Sequence, residues 1–233
     1  MQELRAKLAS IERSLDAGGY RPGTWQTFVR RVQNRPRSER VALAAGISRV
    51  SQKLHRRTGR RTLPVAVAVA LELAATALGA VLLAVGLRSR SSTAVLGAAA
   101  VWVVTFEPLL KLLVGTVLGV RYDYAYLRGI EPRFKMRYGT YVAAARAGRI
   151  VLHLSGTIGS PLAAWLVRRL VGPTLVAAAA VCGVTFWALV ALNGALFVAG
   201  LAGVRRIGGI PVGVSSGGAA AVEIRQALLK RRA

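Results

Sequence analysis

Residues 63–87 read LPVAVAVALELAATALGAVLLAVGL, and Glu72 is the single charged residue of this apolar run. A helix needs about 20 apolar residues to cross the roughly 30 Å hydrocarbon core of a bilayer. The stretches 93–120, 150–167 and 172–204 meet the same requirement. The sequence therefore predicts an all-α, polytopic integral membrane protein with about four transmembrane helices.

The stretch 150–167 leaves two structures open, because Gly156, Gly159 and Pro161 interrupt it. It forms either a full crossing or a broken, re-entrant helix. A broken helix is tolerated at membrane depth only where protein covers the freed backbone groups.

Charge is segregated along the chain, which explains how a protein of formal charge +24 can be 54% hydrophobic. Fifteen of the 33 Lys and Arg residues lie within residues 1–62, against nine Asp and Glu in the whole chain. This pattern predicts three parts: a basic cytoplasmic segment over 1–62, a transmembrane bundle over 63–204, and a basic cytoplasmic tail over 205–233.

The loop charges predict the orientation of the spans. With four spans, the amino-terminal segment, loop 121–149 and the tail lie on one side and carry fifteen, seven and six basic residues. The two opposite loops carry two each. Because cytoplasmic loops carry the excess of Lys and Arg, we expect a multi-pass membrane protein with both termini in the cytoplasm.

The amino-terminal segment is predicted to form basic amphipathic helices. Leu4, Leu8, Ile11 and Leu15 recur at a spacing that lines one helix face. Basic helices next to a span favour contact with anionic lipids, where each Lys or Arg near the surface contributes about 1 kcal/mol. Nucleic-acid binding is the alternative, but no known signature for it accompanies the charge. Ordinary positive-inside bias also explains much of the charge without a specific ligand.

Three ionisable residues lie at matched depth in the first two spans. Glu72 lies sixteen residues before Arg88, and Glu107 lies fifteen residues after Ser92. At 1.5 Å per residue, both are about 23 Å from the short loop that joins the spans. Lys111 is one turn from Glu107 on the same face. The spacing therefore predicts an intramembrane cluster of Glu72, Glu107 and Lys111.

Such a cluster suits ion or proton transport, since charges inside a membrane usually pair or face a cavity. A static ion pair that fixes helix register is the alternative. Pro108 favours a site, because proline cannot donate to the helical ladder and opens the turn before it.

The loop 121–149 holds candidates for other chemistry. Asp123 and Glu131 are candidate metal ligands or bases, and His153, just inside the third span, is a second catalytic candidate beside Asp123. The candidates for binding a lipid phosphate are Arg133, Lys135 and Arg137. No established catalytic motif is present, and the single cysteine, Cys182, excludes an intrachain disulfide and a Cys-rich metal site. The sequence therefore predicts no metal site and does not identify a cofactor.

Together these features favour a non-enzymatic subunit of a larger membrane assembly that carries ions or protons through the Glu72, Glu107 and Lys111 cluster. The alternative is a membrane-embedded enzyme that acts on a lipid headgroup at the cytoplasmic interface. Expected partners are anionic membrane lipids and either other membrane subunits or further copies of the chain, and nucleic acid is not expected. A short helix at Val222 to Leu229, after a Gly/Ser-rich linker, is the predicted docking element.

Overall fold

The computed structural model describes residues 1–128, 131–204, 206–207 and 210–231. Helices account for 80% of the structure, so the all-α prediction is confirmed in this coarse sense. In chain order the elements are α1 (Gln2–Asp16), α2 (Thr24–Gln33), α3 (Arg37–Arg56), β1 (Thr62–Leu63), α4 (Val65–Ser89), α5 (Ser92–Val117), β2 (Tyr122–Arg128), β3 (Glu131–Met136), α6 (Tyr138–Ala143), α7 (Arg146–Val171), α8 (Val176–Ala202), β4 (Arg206–Ile207), β5 (Ile210–Pro211) and α9 (Ser216–Arg231), with 3-10 turns at Gly172–Leu175 and Val212–Val214.

Helices α1, α2 and α3 form a layer whose apolar faces pack on one another. The predicted stripe of α1 is buried, and it shares a core with Phe28 of α2 and Ile47 of α3. The same core includes Val120, Tyr141 and Leu152, so the layer packs against the carboxy-terminal end of α5 and the amino-terminal end of α7. These apolar faces therefore belong to a protein core.

Three helical stretches of the described chain are long and apolar enough to cross a membrane: Val65–Ser89, Ser92–Val117 and Arg146–Ala202. The third consists of α7, a 3-10 turn and α8. Helices α4 and α5 run antiparallel, as the short loop between them predicts. The Trp102 indole N–H donates to the Thr76 carbonyl at 2.9 Å.

Helix α7 is continuous through Gly156, Gly159 and Pro161, the residues for which the sequence allowed either a full or a broken helix. Gly156 and Gly159 are points of close approach, since a Cβ atom at Gly159 would lie 2.7 Å from the Glu107 Cα atom. The hydroxyl of Ser160 donates to the Val103 carbonyl at 2.7 Å. The glycines therefore allow α5 to pack closely on α7 and do not break the helix.

The loop 121–149 contains a sheet that the helical prediction lacks. Strands β2 and β3 pair antiparallel, with Ala125 opposite Phe134, and β1 adds a third strand. Tyr122, Tyr124 and Tyr126 alternate with other residues along β2, and this period of two with aromatic side chains favours a strand.

The carboxy-terminal segment folds back onto the bundle. Gly217, in the first turn of α9, packs against the Asn193 carbonyl, and Gly200 packs against Ala221. Helix α9 therefore runs alongside α8 in the same direction, and its first turn lies about 13 Å before the end of α8. The predicted docking element Val222 to Leu229 is part of α9, and one of its faces is covered by the protein itself.

Candidate functional site

A cleft of about 840 Å³ lies where the amino-terminal layer, the β2–β3 hairpin, α5, α7 and α9 meet. Its walls combine aromatic and aliphatic side chains, among them Trp25, Val29 and Phe134, with ionisable ones. Four cations and two carboxylates line the described part of the cleft: Arg30, Lys111, Arg133, Arg225, Glu107 and Glu223. A cavity of this size with mixed walls is typical of a small-molecule or lipid site.

The floor of the cleft is an ion pair that the sequence predicted. Lys111 Nζ lies 2.7 Å from Glu107 Oε1, and the hydroxyl of Ser216 donates to the same oxygen at 2.5 Å. A Cβ atom at Gly156 would lie 2.1 Å from the Lys111 side chain, so the Lys111 side chain passes directly over this glycine. Helix α9 therefore delivers Ser216 to an ion pair on α5, a contact that links residues 109 positions apart.

Glu72 on α4 lies near the level of Glu107 on α5, but Glu107 is on the side of α5 that faces away from α4. Thr76, one turn after Glu72, shares a hydroxyl contact of 3.2 Å with Thr105, which therefore faces α4. Glu107 comes two residues after Thr105, and at about 100° per residue it points about 200° away from α4. No hydrogen bond or ion pair of the described residues joins Glu72 to Glu107 or Lys111. The predicted cluster is thus a pair and a separate carboxyl group, because equal depth does not set the direction of a helical side chain.

Glu223, which lines the cleft, belongs to a buried ion pair that the sequence did not reveal. Arg149 and Glu223 are 1% and 4% exposed, and the guanidinium donates to both carboxylate oxygens at 2.8 and 2.9 Å. Gln33 and Tyr141 also donate to Glu223, at 3.1 and 3.0 Å. Fully hydrogen-bonded pairs of this kind are the ones that tolerate burial. They also fix α9 against α2, α6 and α7.

His153, a catalytic candidate, lines the cleft beside this pair. Its Nε2 atom lies 2.9 Å from the hydroxyl of Tyr141. Burial and the nearby Glu223 carboxylate hold the pKa of Tyr141 well above its usual value, so the hydroxyl keeps its proton. Because that proton is donated to Glu223, the Tyr141 oxygen accepts a hydrogen bond from His153 Nε2–H.

Asp123, the other catalytic candidate, belongs to a different surface. Its carboxylate pairs with Arg137 at 2.8 Å, and neither residue lines the described cleft. Glu131 lies in β3, and its side chain lies outside the described part of the structure. Asp123 and His153 are therefore not brought together in one site.

The three candidate phosphate ligands also separate. Arg133 lines the cleft, whereas Arg137 pairs with Asp123. Lys135 donates to the hydroxyl of Ser51 on α3 at 2.7 Å. Burial lowers the pKa of Lys135 to about 8. Of this group, Arg133 is therefore the one that lines the cleft.

Arg149, Glu223, Ser216 and Tyr141 are the members of the site that sequence analysis missed. In the sequence, Arg149 is one of several loop charges and Glu223 is part of a basic tail, and their separation of 74 residues hides the pairing. The one sequence signal for this pairing is that Glu223 is the single carboxylate of the basic tail.

Among the described residues, no three His, Cys, Asp or Glu side chains are grouped so that they could hold a metal ion. Cys182 is buried and forms no disulfide. No family model, no curated protein and no solved structure matches this chain, so the chemistry of the cleft is the basis for assigning a function.

Proposed function

We propose that this chain is a multi-pass membrane protein with both termini in the cytoplasm, and that it binds the headgroup of an anionic lipid in the cleft. Four spans follow if α7 and α8 each cross the membrane once. The excess of basic residues in the amino-terminal segment, loop 121–149 and the tail then supports the cytoplasmic placement of all three.

The observation that carries this proposal is the charge balance of the cleft. Glu107 and Glu223 are both paired to cations of the chain itself, Lys111 and Arg149. The further lining cations, which include Arg30 and Arg225, give the cleft a net positive charge. A ligand with a negative headgroup is therefore attracted, and a cationic ligand is repelled.

The position and walls of the cleft support an amphiphile over a free anion. Lys111 lies six residues before the end of α5, which is about 9 Å along the helix. If α5 spans the membrane, this depth corresponds to the boundary between headgroups and acyl chains. Trp25, Phe134 and Leu229 supply apolar surface for the first part of an acyl chain.

The test is to purify the protein in a mild detergent and to quantify the lipids that stay bound. The variant Arg30→Gln/Arg225→Gln removes two lining cations. At about 1 kcal/mol per cation, it should lose roughly thirty-fold in affinity for phosphatidylglycerol added back to delipidated protein.

The matched control is Arg31→Gln/Arg206→Gln, which removes two exposed cations outside the described cleft lining. It should bind phosphatidylglycerol like the unmodified protein. Equal affinity of all three proteins, or equal retention of phosphatidylcholine, would overturn the proposal.

A second candidate function is that of a subunit in a larger membrane assembly. Large apolar side chains on α4 and α8 face outward, among them Leu73, Val184 and Trp187. These surfaces favour contact with lipid or with other membrane helices. Stoichiometric proteins that co-purify in mild detergent would support the subunit, and a homogeneous particle with lipid alone would argue against it.

An enzyme acting on the bound headgroup would use the same cleft, and the contact between His153 and Tyr141 is the observation that favours it. It predicts that His153→Gln abolishes conversion of the lipid while binding persists. Unchanged lipid after prolonged incubation with the intact protein would remove this alternative.

A further inference from the structure

Glu72 is a buried carboxyl group that the cleft does not use. It is 5% exposed, although its neighbours Leu71 and Leu73 are 58% and 56% exposed on the outside of α4. Its Oε2 atom has no hydrogen-bond partner among the described residues. The side chain is therefore largely enclosed between helices, and its Oε2 atom is buried without a partner.

On the elements that α4 contacts most, the described residues include no unpaired cation that could balance a negative charge on Glu72. Helix α4 packs mainly against α5 and β2. The charged side chains described on these elements are Glu107 and Lys111, which pair with each other, and Asp123, which pairs with Arg137. Among the described residues, no salt bridge includes Glu72.

Thr76, one turn along α4 from Glu72, hydrogen-bonds to groups other than the carboxyl group. The hydroxyl of Thr76 donates to the backbone carbonyl of Glu72 at 2.8 Å, and it meets the hydroxyl of Thr105. An ionised carboxylate in such surroundings would lose its hydration without gaining a partner. A buried acid without a partner escapes this penalty by taking up a proton.

We propose that Glu72 is a proton-binding site that carries its proton at neutral pH, separate from the lipid cleft. The site goes beyond the proposed lipid-binding function and does not depend on it. Ionisable residues inside membrane helices commonly mark proton relays.

The experiment uses dicyclohexylcarbodiimide, an apolar reagent that reacts with protonated carboxyl groups. The carboxyl O–H adds across one C=N bond of the reagent, and the acyl group then migrates to nitrogen, so the whole reagent stays attached. After treatment of native membranes at pH 7, peptide mass spectrometry should find at least several-fold more adduct on Glu72 than on Glu107, which is paired to Lys111.

Two variants and a second measurement guard against poor access of the reagent. Glu72→Gln should remove the adduct and leave the thermal midpoint unchanged, because an amide resembles a protonated acid in shape and charge. Glu107→Gln should leave the Glu72 adduct in place. The infrared spectrum at pH 7 should contain the C=O band of a protonated carboxylic acid, and this band should be absent in Glu72→Gln.

A carboxylate band for Glu72 at pH 7, or a large loss of stability in Glu72→Gln, would overturn the proposal, since both indicate an ionised and paired group. Phosphatidylglycerol affinity should stay unchanged in Glu72→Gln. Loss of lipid binding in the Arg30→Gln/Arg225→Gln variant together with a normal Glu72 band would show that the two sites are independent.

Discussion

At the scale of single residues, burial separates two kinds of ion pair in this chain. Arg149 and Glu223 are both enclosed by protein, whereas Arg31 and Glu3 are both exposed. Removing one member of a buried pair leaves the other charge away from water and uncompensated, which costs about 3–5 kcal/mol. An exposed pair is screened by solvent and contributes about 0–1 kcal/mol.

We therefore expect Arg149→Met to lower the free energy of unfolding by about 3–5 kcal/mol, measured by denaturant unfolding in detergent. The double variant Arg149→Met/Glu223→Gln should recover much of this loss, because neither charge then remains buried. Arg31→Met is the control and should change stability little. Similar losses in Arg149→Met and Arg31→Met would contradict the assigned role of the buried pair.

Lys135 gives a prediction about pH. Burial lowers its pKa to about 8 in the folded protein, against a usual value of 10.5. Between these values the unfolded chain binds more protons than the folded one, so the contribution of Lys135 to stability rises with pH from about 8 to about 10.5. The slope approaches about 1.4 kcal/mol per pH unit.

The measurement compares thermal midpoints of the unmodified protein and Lys135→Met between pH 7 and pH 10. As the pH rises through this range, the thermal midpoint of the unmodified protein should increase relative to that of Lys135→Met. Parallel pH profiles would show that Lys135 titrates normally. Lys53, which is exposed and pairs with Asp16 and Glu12, offers Lys53→Met as a control for general charge effects.

At the scale of elements, glycines set how closely helices approach. Gly139 of α6 lies against α3, where an added Cβ atom would sit 1.9 Å from the Ala44 carbonyl oxygen. The backbone N–H of Gly139 donates to the Ser48 hydroxyl at 3.1 Å. This contact attaches the amino-terminal layer to the element that carries Tyr141 into the cleft.

Gly139→Ala should therefore destabilise the protein by about 1–3 kcal/mol, because the obstructing atom is backbone and cannot move alone. Gly148→Ala is the matched control, since its nearest neighbour is the Leu118 side chain at 3.4 Å. The readout is the thermal midpoint of each variant in detergent. An effect of Gly148→Ala as large as that of Gly139→Ala would disprove the close α3–α6 contact.

At the scale of the whole molecule, the prediction concerns topology. Four spans place Ser89 and Thr174 on the outside and Thr58 in the cytoplasm. In a Cys182→Ala background, an impermeant maleimide should label Ser89→Cys and Thr174→Cys in intact cells. It should label Thr58→Cys only after lysis. Labelling of Thr174→Cys from the same side as Thr58→Cys would exclude a four-span arrangement.

Much of the helical framework could be predicted because its signals are local. An apolar run of about 20 residues satisfies its own backbone hydrogen bonds as a helix, so the positions of α4 and α5 follow from composition. The ion pair of Glu107 and Lys111 is equally local, since residues four apart share a helix face. Strand β2 of the hairpin could also have been predicted from the sequence, since Tyr122, Tyr124 and Tyr126 alternate in a strand-like pattern.

By itself, the sequence determined that this chain has long apolar helices, segregated basic charge and a carboxylate–ammonium pair on α5. Only the tertiary structure decided that Glu107 faces away from the helix that carries Glu72, that α9 returns to the bundle, and that Glu223 meets Arg149 across 74 positions. The physical reason is that helix formation depends on neighbours along the chain. The partners of a buried charge depend instead on how helices are rotated and packed, which emerges only when distant segments share one core.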